Sequence, residues 1–126
     1  MTSYIEITRS TDEGPVPTEW RRTFFEIIEA FRRDDFGLDG RIVGVGSVAA
    51  GEADRISKNI SSYGDKLVGL PEETWNTSIC RRMDGYWSVM IDLFTVREGA
   101  SDLVLFCKVY EDPAGYRFEI DSVHVP

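Results

Sequence analysis

The 126-residue chain has a single histidine, His124, and only two cysteines, Cys80 and Cys107. A structural zinc site takes four ligands, usually Cys and His, so that class is excluded. Any imidazole-based nucleophilic arrangement has one candidate base, and it sits two residues from the C-terminus. Positive charge is scarce as well. Fourteen Lys and Arg stand against twenty-two Asp and Glu, for a net charge of −8. Non-specific nucleic-acid binding needs a basic field to displace counterions, and adsorption to an anionic membrane needs the same sign. No apolar run approaches the ~18 residues of a membrane-spanning helix. The longest, Leu103-Val-Leu-Phe-Cys107, reads as a buried strand. The start, Met1-Thr-Ser-Tyr-Ile-Glu-Ile7, lacks the basic and apolar regions of a signal peptide, so a cytoplasmic location is expected. In that compartment two cysteines far apart in sequence read as free, buried thiols, and the sequon Asn76-Thr-Ser78 carries no meaning.

What is present is the composition of one folded domain. Hydrophobic residues make up 42% and aromatics 12%, enough for a single core and too much for global disorder. Residues 1–126 are read as one domain with no linker, repeat or low-complexity stretch, and 1–16 as a loose N-terminal arm in which Tyr4, Ile5 and Ile7 have short-strand character. Pro17 and Thr18 open the first helix, with Thr18 as its cap. Trp20, Phe24, Ile27, Ile28 and Phe31 then form one apolar stripe at the 3.6-residue period. Asp35 to Gly40 ends it. Arg41 to Val45 is a short strand or extended connector, and Val48 to Tyr63 is a second helix with Ala53, Ile56 and Ile60 inward and Gly64 as its stop. Residues 65–77, with Pro71, Glu72, Glu73 and Trp75, form a long irregular segment of the kind often used for function.

From Ser78 the period changes to two. Strands are expected over 78–83, 86–96, 102–110 and 116–125, joined by short turns at Asp84-Gly85, at Arg97 to Ser101 around Gly99, and at Glu111 to Gly115. Trp87, Val89, Ile91 and Leu93 share one face, and Ser88, Met90, Asp92 and Phe94 the other. Helices followed by a run of strands predict an α+β fold: two helices packed on one face of a four-stranded antiparallel meander.

The chemical motifs are weak. Gly44-Val-Gly46-Ser-Val-Ala49 fits a dinucleotide-binding fingerprint in form, but that motif needs a parallel βαβ unit, so no cofactor is expected. His124 reads as a strand-end histidine paired to a neighbouring acid or backbone group. Asp92, Asp102 and Glu119 are a conceivable magnesium set without a supporting loop motif, and no metal is expected. The doubled arginines at 21–22, 32–33 and 81–82 read as solvated. The acidic surplus is concentrated late in the chain, in Glu98, Asp102, Glu111, Asp112, Glu119 and Asp121 against Lys108 and Arg117. On one face those acids would steer and dock a basic protein, with Trp75 or Tyr86 as aromatic anchor and Trp20 and Trp87 left to the core.

Ile91-Asp-Leu-Phe-Thr-Val-Arg-Glu98-Gly99-Ala-Ser101-Asp102-Leu103, together with Ile120-Asp-Ser-Val-His124-Val125, resembles an uncharacterised family of small bacterial domains with an E-G-x-S-D-L stretch and a closing His-Val segment. Tyr63-Gly64 and Pro71 to Trp75 are similar too, so the resemblance covers roughly residues 55–126. It departs at Phe94, where the family often has Trp, and at Ser122-Val123, where an acid often precedes His-Val. The resemblance implies no reaction. Small acidic proteins of this kind look like immunity partners of contact-dependent or polymorphic toxins. The layout also resembles cystatin-like and NTF2-like folds, in which a helix packs into a curved sheet.

The expectation is therefore a non-enzymatic cytoplasmic binding protein, most concretely an immunity protein that occludes a basic toxin domain. Its partner-binding residues would be Trp75, Glu98, Asp102, Glu111, Asp112, Glu119 and Asp121, with no nucleic acid, membrane, cofactor or metal involved. The alternative is an NTF2-like binder or enzyme with a pocket between the first helix and the sheet, lined by aromatics and reached by Asp92 or His124. A third reading is self-association through an exposed strand.

Overall fold

The computed structural model describes residues 12–126. The strand character read into Tyr4, Ile5 and Ile7 lies outside the described residues. The chain forms β1 (Glu13–Pro15), α1 (Thr18–Arg32), α2 (Ala50–Tyr63), a 3-10 turn (Glu72–Asn76), β2 (Ile79–Arg82), β3 (Trp87–Thr95), β4 (Gly99–Asp112) and β5 (Gly115–His124). The class is α+β, as expected, but the antiparallel sheet has five strands in the order β1-β2-β3-β4-β5 rather than four. The added strand comes from the end of the expected loose arm. Glu13, Gly14 and Pro15 pair with Arg81, Cys80 and Ile79, and Val16 behind them is fully buried. Three residues with a proline and a charge make a blunt edge strand, which discourages further pairing.

Helix α1 buries the stripe read from the sequence: Trp20, Phe24, Ile27, Ile28 and Phe31. Its N-cap is Pro17, and no side chain caps the helix, which corrects the role given to Thr18. The stripe meets the inner face of the sheet, formed by Trp87, Val89, Ile91 and Leu93 of β3 with Leu103, Leu105, Cys107 and Val109 of β4. Trp20 stands edge-on to Trp87 at 5.5 Å and to Tyr116 at 5.2 Å, and Phe24 meets Phe118 at 5.5 Å. Helix α2 begins at Ala50, not Val48, and contributes Ile56 to the core. It runs along β5, where the Asn59 side-chain amide donates to the Val123 carbonyl at 2.8 Å.

Irregular backbone closes the outer edge of β5 and the half of β3 that β2 leaves unpaired. Residues 41–45 form turns rather than a strand, and Val45 makes one bridge to Phe118 on the outer edge of β5. The Gly46 amide donates to the Phe118 carbonyl and the Phe118 amide to Gly44. Gly44 has φ of +81°, and an added Cβ would sit 3.0 Å from the Tyr116 carbonyl oxygen. The fingerprint glycines thus let a loop approach a strand edge and form no nucleotide cradle. On the other side, β2 covers only the first half of β3. Residues 65–78 cover the rest. The Val68 amide donates to Phe94 and the Val96 amide to Lys66, and the Thr74 hydroxyl donates to Asp92. The long irregular segment is an edge seal.

The β4–β5 register shifts between Phe106 and Cys107, so that Ser122 faces Phe106 and Ile120 faces Cys107. Counting back from the buried Val123 in strict alternation would place Asp121 in the core. The bulge gives that place to Ile120 and leaves Asp121 half-exposed.

Cys80 and Cys107 are free and buried, each paired across to Val89 from opposite sides. Burial pushes the Cys80 thiol up to about 12 and raises that of Cys107 as well. Neither thiol is therefore expected to react with an alkylating reagent in the native protein at neutral pH, and both are expected to react in denaturant, as intact-mass measurement will show. Trp20→Ala removes the central ring of the interlayer and is expected to cost about 3–5 kcal/mol of stability in a denaturant titration.

Candidate functional site

The helices occupy the inner side, so that among the described residues no helix covers the alternate strand residues of the outer face. Register places these residues in rows. One row runs Glu13, Arg81, Ser88, Lys108, Glu119, and the next Pro15, Ile79, Met90, Phe106, Ser122. A third runs Asp92, Val104, His124. Beyond the first row, Tyr86 and Tyr110 lie 5.6 Å apart, with the Arg117 guanidinium 4.2 Å over the Tyr110 ring and the Lys108 ammonium 5.7 Å from the Tyr86 ring. The face thus has an apolar and aromatic centre, mostly half-buried, inside a frame of charge.

That frame is already paired. Arg81 meets Glu13 at 2.7 Å, Lys108 meets Asp121 at 3.6 Å and Arg117 meets Glu119 at 4.0 Å. Burial pushes the Asp121 carboxyl up from its ordinary value. Lys108 pulls the other way, while the charges of Glu119 and Glu52 add to the rise. Asp121 in turn raises the Lys108 ammonium.

His124 lies flat on Phe106, with centroids 4.5 Å apart and planes at 10°. Its Nδ1 is 3.0 Å from the Ser122 hydroxyl. The expected acid or backbone partner is replaced by a serine and a ring. Asp92 and His124 both sit on the outer face. The space between α1 and the sheet, where the alternative reading wanted a pocket, is filled by fully buried side chains. Among the described residues no three metal-ligating side chains converge, and Asp92, Asp102 and Glu119 lie apart on three strands.

The seven residues expected to bind a partner do not form one patch. Trp75 is 8% exposed and packs into the core, with the Arg21 guanidinium 5.3 Å over its ring, so it is no protruding anchor. Glu111 and Asp112 lie at the β4–β5 hairpin. Glu98 and Asp102 lie at the opposite end of β4, about 30 Å away at the usual rise per residue. Alternation along β4 puts Asp102 and Asp112 on the outer side as well, but at its two ends, and it is Glu119 and Asp121 that lie beside Lys108. The linear count of acids carried no information on which end of a fourteen-residue strand each would occupy. The signal for the outer face was present in the alternate positions Met90, Phe106 and Tyr110, which the count of charges passed over.

Glu98 and Asp102 belong to a latch. The Tyr63 hydroxyl, at the end of α2, donates to the Glu98 carboxylate and accepts from the Asp102 amide at 3.0 Å. Asp65 accepts from the Arg97 amide at 3.1 Å and from the Lys66 amide at 2.8 Å, and Arg97 donates to the Gly64 carbonyl. Ser101 donates to the Leu93 carbonyl at 2.7 Å and accepts from the Leu103 amide. The residues that carry the family resemblance thus tie the β3–β4 turn to the end of α2.

A family described as a domain of unknown function (DUF7668) matches residues 28–126, and the chain belongs to it. No curated protein and no solved structure matches the chain. No helix among the described residues is long and apolar enough to cross a membrane.

Burial disfavours the Asp65 charge, but the Lys66 and Arg97 amides and the Arg97 guanidinium outweigh it and hold the carboxyl below its ordinary 3.8. A lowered folded-state value stabilises the fold fully above 3.8, and that contribution is lost as pH falls through the folded value. Hydrogen exchange at Lys66 and Arg97 is therefore expected to gain an acid-dependent opening below that pH, which Asp65→Asn abolishes. Tyr63→Phe is expected to deprotect the Asp102 amide at neutral pH while leaving Val89 and Leu105 protected.

Proposed function

We propose that this member of the DUF7668 family is a non-enzymatic binding protein that docks a basic protein through the outer face of its sheet. In its most concrete form it is a cytoplasmic immunity protein that occludes a toxin domain. The observation that carries the reading is the outer face itself. It combines Met90, Phe106, Tyr86 and Tyr110 with a paired charged frame, on a sheet whose helices are all committed elsewhere. Buried aromatic centres with polar rims are the usual anatomy of protein interfaces, and Tyr and Arg are enriched among their dominant residues.

The net charge of −8 supplies the long-range part. It accelerates encounter with a basic partner and repels acidic ones. Glu98, Asp102, Glu111 and Asp112 contribute to that field from the two ends of the sheet. Glu119 and Asp121 act at the contact, where a partner cation can share the carboxylates with Lys108 and Arg117. Phe106, flanked by His124, takes the anchoring role that the sequence reading gave to Trp75. Occlusion follows if the partner surface so covered is its substrate cleft.

The test is affinity capture from the native cell with mass spectrometry, followed by binding measurements on the captured protein. A single basic domain is expected, with affinity falling as salt rises. Phe106→Asp is expected to weaken it about thirtyfold or more, the loss of a dominant interface residue. Glu119→Lys with Asp121→Lys is expected to weaken it comparably, while Glu111→Lys with Asp112→Lys mainly slows association. A partner retained by Phe106→Asp at wild-type affinity, with the variant's fold intact by circular dichroism, would sink the proposed face. An acidic partner, or none, would sink the basic-partner reading.

A further inference from the structure

On the helix side of the molecule, a cleft of about 350 Å³ opens between α1 and the 3-10 turn, lined by Arg21, Arg22, Phe25, Leu70, Glu72 and Trp75. Its volume is at the lower end of the ~300–1,000 Å³ typical of small-molecule sites. Three features give it a defined chemistry. Part of its lining is apolar: Leu70 and Trp75 are largely buried, and Phe25 is partly covered. Its two cations are held over rings. Arg21 donates to the Val16 carbonyl through Nε at 3.1 Å and Nη2 at 2.9 Å and lies 5.3 Å over Trp75. Arg22 pairs with Glu26 one turn on and lies 5.9 Å over Phe25. A carboxylate, Glu72, is contributed from the other wall, at the start of the 3-10 turn.

The shape of the cleft depends on Gly69. A Cβ there would fall 2.8 Å from Glu29 Oε2 and 3.6 Å from the Phe25 ring, so the bare backbone lets residues 69–72 lie close against α1. The apolar wall, Leu70 and Trp75, is set by packing and does not wait for a ligand.

We propose that this cleft binds a free α-amino acid with a large apolar side chain. The carboxylate goes to the guanidinium side, where it shares Arg22 with Glu26 and meets the positive charge of Arg21, whose Nε and Nη2 stay on the Val16 carbonyl. The ammonium goes to Glu72, and the side chain lies on Phe25, Leu70 and Trp75. A simple aromatic anion leaves Glu72 opposing it, and a simple amine meets two cations. Only a zwitterion uses both walls. The site is on the opposite side from the docking face, so it neither requires nor excludes the reading given above.

The probe is L-phenylalanine, followed by the indole NH resonances of the labelled protein. Trp20 and Trp87 are each 1% exposed in the core and serve as internal references. A saturable shift of the Trp75 resonance alone, assigned with Trp75→Phe, is expected. Arg22 is 80% exposed at its side chain and Glu72 is exposed, so Arg22→Ala and Glu72→Ala spare the fold. Each is expected to weaken binding about tenfold or more, the usual worth of a charge-assisted hydrogen bond. 3-Phenylpropionate and phenethylamine, each missing one charge, are expected to bind more weakly by a similar factor. No saturable shift up to the solubility of phenylalanine would overturn the proposal. So would 3-phenylpropionate binding as tightly as phenylalanine, or a shift indifferent to both variants.

Discussion

The contact of Trp20 with Trp87 decides how the two sides of the sheet are used. One long amphipathic helix has one stripe, and here that stripe ends in an indole standing edge-on to a second indole on β3 at 5.5 Å. α1 takes the centre of that face, and α2 adds Ile56 to the same core from beside it. α2 runs along β5, tied through Asn59 to the Val123 carbonyl. Among the described residues no further helix is left to lie over the outer side. The outer rows of β1 to β5 are thereby left as surface, and they differ from an ordinary wet sheet face. Met90, Phe106, Tyr86 and Tyr110 occupy positions that polar residues usually take.

The rest of the chain deals with strand edges. An unpaired strand edge exposes amides and carbonyls that must find partners or water. β5 is sealed by the Gly44–Gly46 loop and α2, and the second half of β3 by residues 65–78. The latch at Tyr63 and Asp65 completes the second seal by holding the β3–β4 turn against the end of α2. This gives a physical reading of the motif behind the family resemblance. Glu98, Ser101 and the Asp102 amide hold the turn in place. A motif whose polar groups are consumed internally marks a shared fold, and it leaves the chemistry of the surface free to differ.

The sequence made α1, the inner-facing side of β3 and the meander legible, because each rests on a strong local period. It hid β1, since Glu13-Gly14-Pro15 is too short for any period and reads as a turn; only pairing with β2 makes it a strand. The β5 bulge was visible in principle. Phe118, Ile120 and Val123 break the two-residue alternation, and a break between buried positions is the mark of an inserted residue. Trp75 was misplaced for a different reason. An aromatic in an irregular segment looks exposed when loops are assumed to be surface, yet this segment is a structural strip pressed against β3 and α1. The six acids failed as a patch because sequence adjacency along a long strand separates residues in space by its full length.

Charge on this molecule works at two ranges, and the two should be kept apart. At physiological salt the screening length is about 8 Å, so the surplus of −8 acts on a partner only in the last stage of approach. It biases encounter and orientation more than final affinity. At contact the balance is nearly even. Arg81, Lys108 and Arg117 each already hold a carboxylate on the outer face. A partner cation arriving at Glu119 or Asp121 must compete with these bridges, and exposed bridges are individually worth little. The gain at the interface therefore has to come from covering the apolar centre, with Phe106, Tyr86 and Tyr110 as its largest members. The bridged cations Lys108 and Arg117 lie against Tyr86 and Tyr110, and His124 lies flat on Phe106, so the rings are already packed before any partner arrives, which lowers the ordering cost of binding.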